Sequence, residues 1–187
     1  MLPIIAAVSE RSPVPAREAE ERRPAAVLAV YSWDLLRAIG ALFGAIAPFA
    51  GGLRSGTQAV KLGLPVQITG ALASASFAAT LLILASLLTR RQAWVRRLQI
   101  ATMATAVALA GVSLAVGYAT ASGIELGGLF GTLLFMLLDA LTIMIMTERR
   151  VTAWYGEAAT TPRYALGTYG FWALSGCALV AISATLR

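Results

Sequence analysis

A chain of 187 residues that is 58% hydrophobic and only 13% charged, with a mean hydropathy of +0.76, is too apolar for a soluble globular domain. Its net charge of +6 comes from basic residues set between apolar runs instead of along one solvated surface, which argues against a nucleic-acid partner. With no histidine and a single cysteine, Cys177, the chain lacks the ligands for bis-histidine haem or histidine-bound zinc. It also lacks the base of a His-dependent hydrolase and the pair for an intramolecular disulfide.

The first 24 residues combine four prolines (Pro3, Pro13, Pro15, Pro24) with a run of charges and only one short apolar stretch. Such a segment buries too little surface to fold, and we expect a flexible cytosolic tail. A secretory signal is not expected, because no positive residue precedes the stretch from Leu2 to Val8, which is also short for such a signal.

Residues 25–187 read as one transmembrane domain, since a span needs about 20 apolar residues and five such runs follow. We place the spans at 35–53, 66–88, 98–118, 126–146 and 164–186. The expected fold is all-α, a polytopic integral membrane bundle of five transmembrane helices. Its first helix has an alternative start near Ala25, because 25–33 is also apolar.

Arg11, Arg17, Arg22, Arg23, Arg37, Arg90, Arg91, Arg96, Arg97, Arg149, Arg150 and Arg163 fall on one side of these spans, and Arg54, Lys61 and Arg187 on the other. Short basic loops stay cytosolic, so the amino terminus is expected inside and the carboxyl terminus outside, in a plasma (cell inner) membrane crossed several times. Trp33, Trp94, Trp154 and Trp172 fall near the basic side, as an interfacial aromatic belt would. Thr89 to Trp94 and Thr147 to Trp154 resemble each other, which fits either two related hairpins plus a fifth helix or the general taste of membrane exits for Arg and Trp.

The loop from Gly51 to Pro65 is glycine-rich and reads as flexible; no GKT or GKS follows it, so nucleotide binding is not supported. Arg90, Arg91, Arg96 and Arg97 form a basic turn suited to anionic lipid, where each basic residue gains about 1 kcal/mol, or to an acidic partner.

In the fourth span stands Asp139, about seven residues or roughly 10 Å from the basic end. An Asp near a helix centre costs about 2.5 to 3.5 kcal/mol on insertion, which the Leu, Ile and Phe of this segment offset. At 100° per residue Glu125, Gly128, Thr132, Asp139 and Thr142 share a face, opposite Leu126, Phe130, Leu133, Leu134, Leu137, Leu141 and Met144. Lipid offers a carboxylate no partner, so Asp139 should point into the bundle or towards a partner subunit. Arg37 is the cation nearest that depth, and we expect it to be shared between Asp139 and Asp34. This trio, with Thr132, Thr142 and Glu125 nearby, reads as a structural clasp, a proton or ion site, or a contact to another subunit.

Small residues recur at helical spacing: Gly40 and Gly44 in the first span, Gly70, Ser74 and Ala78 in the second, and Gly123, Gly127 and Gly131 into the fourth. Such faces let helices approach closely within the chain or in a homo-oligomer. Pro48 is expected to kink the outer end of the first helix.

No nucleophile motif or acidic metal cluster is present in the sequence, and no cofactor is expected. The expected role is a non-enzymatic accessory, assembly or scaffold subunit of a larger membrane complex. Its partners would be membrane lipids and other membrane subunits or a second copy. The alternative is a small proton- or ion-coupled transporter or channel working through the intramembrane carboxylate.

Overall fold

The computed structural model describes residues 24–50, 53–55, 58–60, 63–120, 126–156 and 160–185. Five long helices carry the fold: α1 (Ala25–Ile46), α2 (Leu64–Leu88), α3 (Ala93–Thr120), α4 (Leu126–Thr147) and α6 (Arg163–Thr185). The short α5 (Arg149–Trp154) links α4 to α6. All five long helices are long and apolar enough to cross a membrane, as in a multi-pass membrane bundle. The expected tail at 1–24 lies outside the described residues apart from Pro24.

Chain punctuation explains the boundaries. The amide of Val27 in the first turn of α1 reaches the Pro24 carbonyl at 3.0 Å. The helix thus starts about ten residues earlier than the main expectation, at the alternative start. It also stops earlier, at Ile46; Pro48 stands in the turn beyond it and kinks nothing. A proline has no amide to continue the ladder, so it ends the helix here. Pro65 occupies the first turn of α2, where a missing N–H costs nothing. After α5, Gly156 takes a left-handed conformation (φ 64°), the usual way a helix is closed before the chain changes direction.

The loop between α1 and α2, expected to be merely flexible, contains an antiparallel hairpin. In it β1 (Leu53–Ser55) pairs with β2 (Gln58–Val60), Leu53 opposite Val60 and Ser55 opposite Gln58. We call this the hairpin end of the bundle and the other the Arg-rich end.

Helix α2 packs between α1 and α6; α3 packs on α4 and touches α6 and α2; α4 meets α1 along a short stretch, so the five helices close into a ring. The Arg-rich end is tightly filled. Val30, Leu88, Trp94, Met146, Trp154 and Tyr155 belong to one apolar cluster there, drawn from α1 to α5 and the residue after it. Nearer the middle, Ala38, Phe77, Leu81, Met103, Ala106 and Trp172 form a second. The outward face of α4 is as expected for lipid contact, with Phe130, Leu133, Leu134, Leu137, Leu141 and Met144 all exposed.

The tryptophans correct the idea of a belt. Trp94, Trp154 and Trp172 are buried, and Trp172 stacks on Phe77 with ring centres 4.7 Å apart. Trp94 and Trp154, from the two similar turns, enter the same cluster. Their indoles fill the space where helices converge instead of resting at an interface.

Glycine spacing is used selectively. A Cβ on Gly44 would come within 3.3 Å of Ser74 Oγ, so α1 and α2 approach closely there; Gly70 faces Leu179 of α6 at an ordinary 3.8 Å. Gly40 and Gly131, expected to share that packing role, have nothing within 4 Å of such a Cβ, because the neighbouring helices stand away at those points. Gly123 lies outside the described residues, as do the surroundings of Gly127. The tightest approach is one the spacing argument missed: a Cβ on Gly176 of α6 would lie 2.7 Å from Leu109 Cδ1 of α3.

Candidate functional site

Three helices bring polar groups to mid-length in the bundle. Arg37 lies twelve residues into α1, about 18 Å along its axis, and Asp139 lies eight residues, about 12 Å, from the Arg-rich end of α4. Starting α1 at Ala25 is what carries Arg37 to this depth. Its Nη2 donates to Asp139 Oδ2 at 2.6 Å, a charge-assisted bond, and Trp33 Nε1 donates to Asp139 Oδ1 at 3.0 Å. Both carboxylate oxygens are therefore bound, and the Asp139 side chain is 2% exposed. Removing one member of such a buried pair typically costs about 3 to 5 kcal/mol, because the other charge is left stranded.

Aromatic rings surround the guanidinium. Arg37 Cζ lies 4.8 Å from the ring centre of Phe135 (α4), 5.2 Å from Phe77 (α2) and 5.9 Å from Trp33 (α1). Ring faces carry negative potential and favour a cation placed over them. Arginine is suited to this setting because its flat, weakly hydrated head stacks while it donates.

Arg37 is not shared as expected. Asp34, one turn earlier on α1, turns to α3, where Gln99 Nε2 donates to its Oδ1 at 2.8 Å. Asp34 and Asp139 leave α1 and α4 towards different neighbours, and the single guanidinium serves the nearer one. Three oxygens in this buried region have no hydrogen-bond partner among the described residues: Asp34 Oδ2, Gln99 Oε1 and Thr102 Oγ1. Gln99 and Thr102 lie three residues apart on one face of α3, and both are fully buried.

The remaining expected site residues fall elsewhere. Thr142 is buried one turn from Asp139, but its hydroxyl donates to the Leu138 carbonyl at 3.0 Å. Thr132 caps the Gly128 carbonyl at 2.9 Å and does not join the pair. Glu125 lies outside the described residues. In the basic turn, Arg96 reaches the Met146 carbonyl and Thr152 Oγ1, each at 3.2 Å, and Arg91 lies 5.4 Å over the Trp154 ring. Two of its four arginines thus tie α3 and its leading turn to α4 and α5, while Arg90 and Arg97 are exposed.

On the hairpin side of the pair, a cavity of about 630 Å³ opens between the helices. Its walls come from all five long helices, including Ala73, Leu109, Phe135, Trp172 and Leu179. Among the described residues Arg37 is the one charged residue lining it; Asp139 and Asp34 lie behind. Leu36 and Gly40 of α1 and Phe135 of α4 both line this cavity and are exposed, so it opens sideways where α1 and α4 stand apart.

Among the described residues no cluster of three or more His, Cys, Asp or Glu side chains is placed to hold a metal ion. No family model, no curated protein and no solved structure matches this chain.

Proposed function

We propose that this chain is a small proton-coupled carrier of the plasma membrane, non-enzymatic, with its amino terminus in the cytosol and its carboxyl terminus outside. The observation that carries this reading is the Arg37–Asp139 pair at the floor of a cavity of about 630 Å³. Charges at mid-depth are costly in a bilayer, and in carriers they mark proton and substrate sites. Here the carboxylate has the three neighbours a switchable proton site needs: a cation it neutralises, a fixed N–H from Trp33, and an adjoining space for a solute. Protonating Asp139 frees Arg37, and a freed arginine facing a cavity is a changed binding site. The orientation rests on the distribution of arginines along the chain.

The test is solute-driven proton movement in proteoliposomes loaded with a pH-sensitive dye. Permanently charged solutes serve as probes: an alkyl sulfonate, a quaternary ammonium and inorganic sulfate. At least one should change the internal pH beyond its effect on empty vesicles, and Asp139→Asn should abolish that change while keeping the detergent elution profile of the folded protein. Flux unaltered in Asp139→Asn would sink the reading.

A second role, an accessory or assembly subunit of a larger complex, is favoured by the open edge of α4. Gly128 and Gly131 have clear space around them, and such edges let another helix approach. Stoichiometric co-purification of a membrane partner in mild detergent would favour it over the carrier.

A further inference from the structure

We infer that the cavity takes an amphipathic monoanion from the bilayer, its acidic head on Arg37 and its apolar body among the walls, and that each anion enters together with one proton on Asp139. This deepens the carrier reading above and rests on it. The lining is mainly aliphatic and aromatic, with Ile39, Leu109, Leu179 and Val180 beside Phe77 and Trp172 and two hydroxyls from Ser74 and Ser113, so a fully hydrated ion gains little there. The one charge of the lining among the described residues is positive, so the complementary head group is negative. The side opening between α1 and α4 faces the acyl-chain region if the helices span a membrane, which gives a membrane-dissolved amphiphile its way in.

Charge balance dictates the proton. In the empty site Arg37 is neutralised by Asp139 at 2.6 Å. An incoming anion that takes Arg37 strands the Asp139 carboxylate at a buried position unless a proton binds its Oδ2, the oxygen Arg37 gives up. Trp33 continues to donate to Oδ1, so the neutral carboxyl stays oriented. The site then holds one anion, one guanidinium and one carboxylic acid, the same net charge as before. No covalent bond to the solute forms or breaks.

Among the described residues the groups able to alter this balance are few. From α1 they are Arg37 and Asp34, the latter turned to Gln99; α3 presents the uncharged Gln99, with Arg96 further towards the Arg-rich end. Helix α2 has no titratable residue along its length, and Tyr169 of α6 is engaged with Thr105 at 2.8 Å. Beyond the end of α4, α5 contributes only Arg149 and Arg150.

The experiment is calorimetric titration of the full chain in lipid nanodiscs, against empty nanodiscs, with 1-octanesulfonate. This probe stays ionised throughout, so any proton taken up belongs to the protein. Titrations in two buffers of different ionisation enthalpy count that proton. The expected result is one proton absorbed per sulfonate bound, and affinity rising as the pH falls. Asp139→Asn should bind the sulfonate with no proton uptake and no pH dependence, and Arg37→Gln should weaken it at least tenfold. Equal binding of 1-octanol, stronger binding of octyltrimethylammonium, or binding of methanesulfonate as tight as that of the octyl probe would overturn the inference. So would sulfonate binding by the wild-type chain without proton uptake, a result that needs no variant to fold. If the quaternary ammonium drives Asp139-dependent proton flux while the sulfonate does not bind, the anion is wrong and the carrier stands. If the sulfonate binds with its proton but no probe drives flux, the site stands and the carrier reading fails.

Discussion

Gln99 of α3 holds Asp34 of α1 by a single 2.8 Å hydrogen bond, and each side chain keeps one further oxygen buried without a partner among the described residues. Two acceptors in one pair cannot satisfy each other, whereas an amide in place of the carboxylate brings a donor. Asp34→Asn is therefore expected to stabilise the protein, since leaving a buried polar group unmade costs about 1 to 3 kcal/mol. The melting temperature in detergent should rise by a few degrees. Gln99→Leu should lower it, because it strands both carboxylate oxygens of Asp34.

The same substitution should stabilise at one of two glycines and not at the other. Gly176→Ala puts a methyl against Leu109 Cδ1, the far end of a flexible side chain that must turn aside, at a cost of about 1 kcal/mol that offsets the helical gain. Gly131→Ala meets nothing within 4 Å and removes a flexible residue from a helix, a gain of about 0.5 to 1 kcal/mol. Thermal unfolding of the two variants side by side checks this.

Tyr155 ties the end of α5 to the end of α2: its hydroxyl donates to the Leu88 carbonyl at 3.0 Å in a fully buried setting. Tyr155→Phe keeps the ring in place and removes this bond, so a loss of about 1 kcal/mol is expected. A larger loss, beyond about 3 kcal/mol, would mean that the hydroxyl organises more than this carbonyl.

Arg96 bridges α3 to the last turn of α4 and to α5. Arg96→Ala should loosen α5 before the bundle itself fails. Limited trypsin digestion should then cut at Arg149 and Arg150 severalfold faster than in the wild type, with the melting temperature nearly unchanged.

Much of the architecture is legible in the sequence, because about 20 apolar residues have few uses other than a spanning helix. Asp139's inward direction is legible too, since the residues on the far side of its helix are nearly all Leu, Phe and Met. The role of Trp33 is not: nothing in a sequence separates an indole at an interface from one donating to a buried carboxylate. Gln99 escapes notice for a related reason. It is uncharged and lies two residues past a run of arginines, so its neighbourhood reads as an exit from the membrane. Only the approach of α1 to α3 makes it a partner for Asp34. Gly40 and Gly44 make the same point within one motif, for only the second of them meets a neighbouring helix.

The unequal filling of the two ends gives the molecule a direction. With Trp94, Trp154 and Tyr155 wedged between helices at the Arg-rich end and the cavity on the far side of Arg37, the bundle is a corked flask. In the carrier proposed above, a solute reaching Arg37 would leave by the way it came unless the cork is drawn. Drawing it means parting α1 from α3 at the Asp34–Gln99 bond and lifting the aromatic wedge. On that proposal the rate of a full crossing would be governed by residues that never touch the solute.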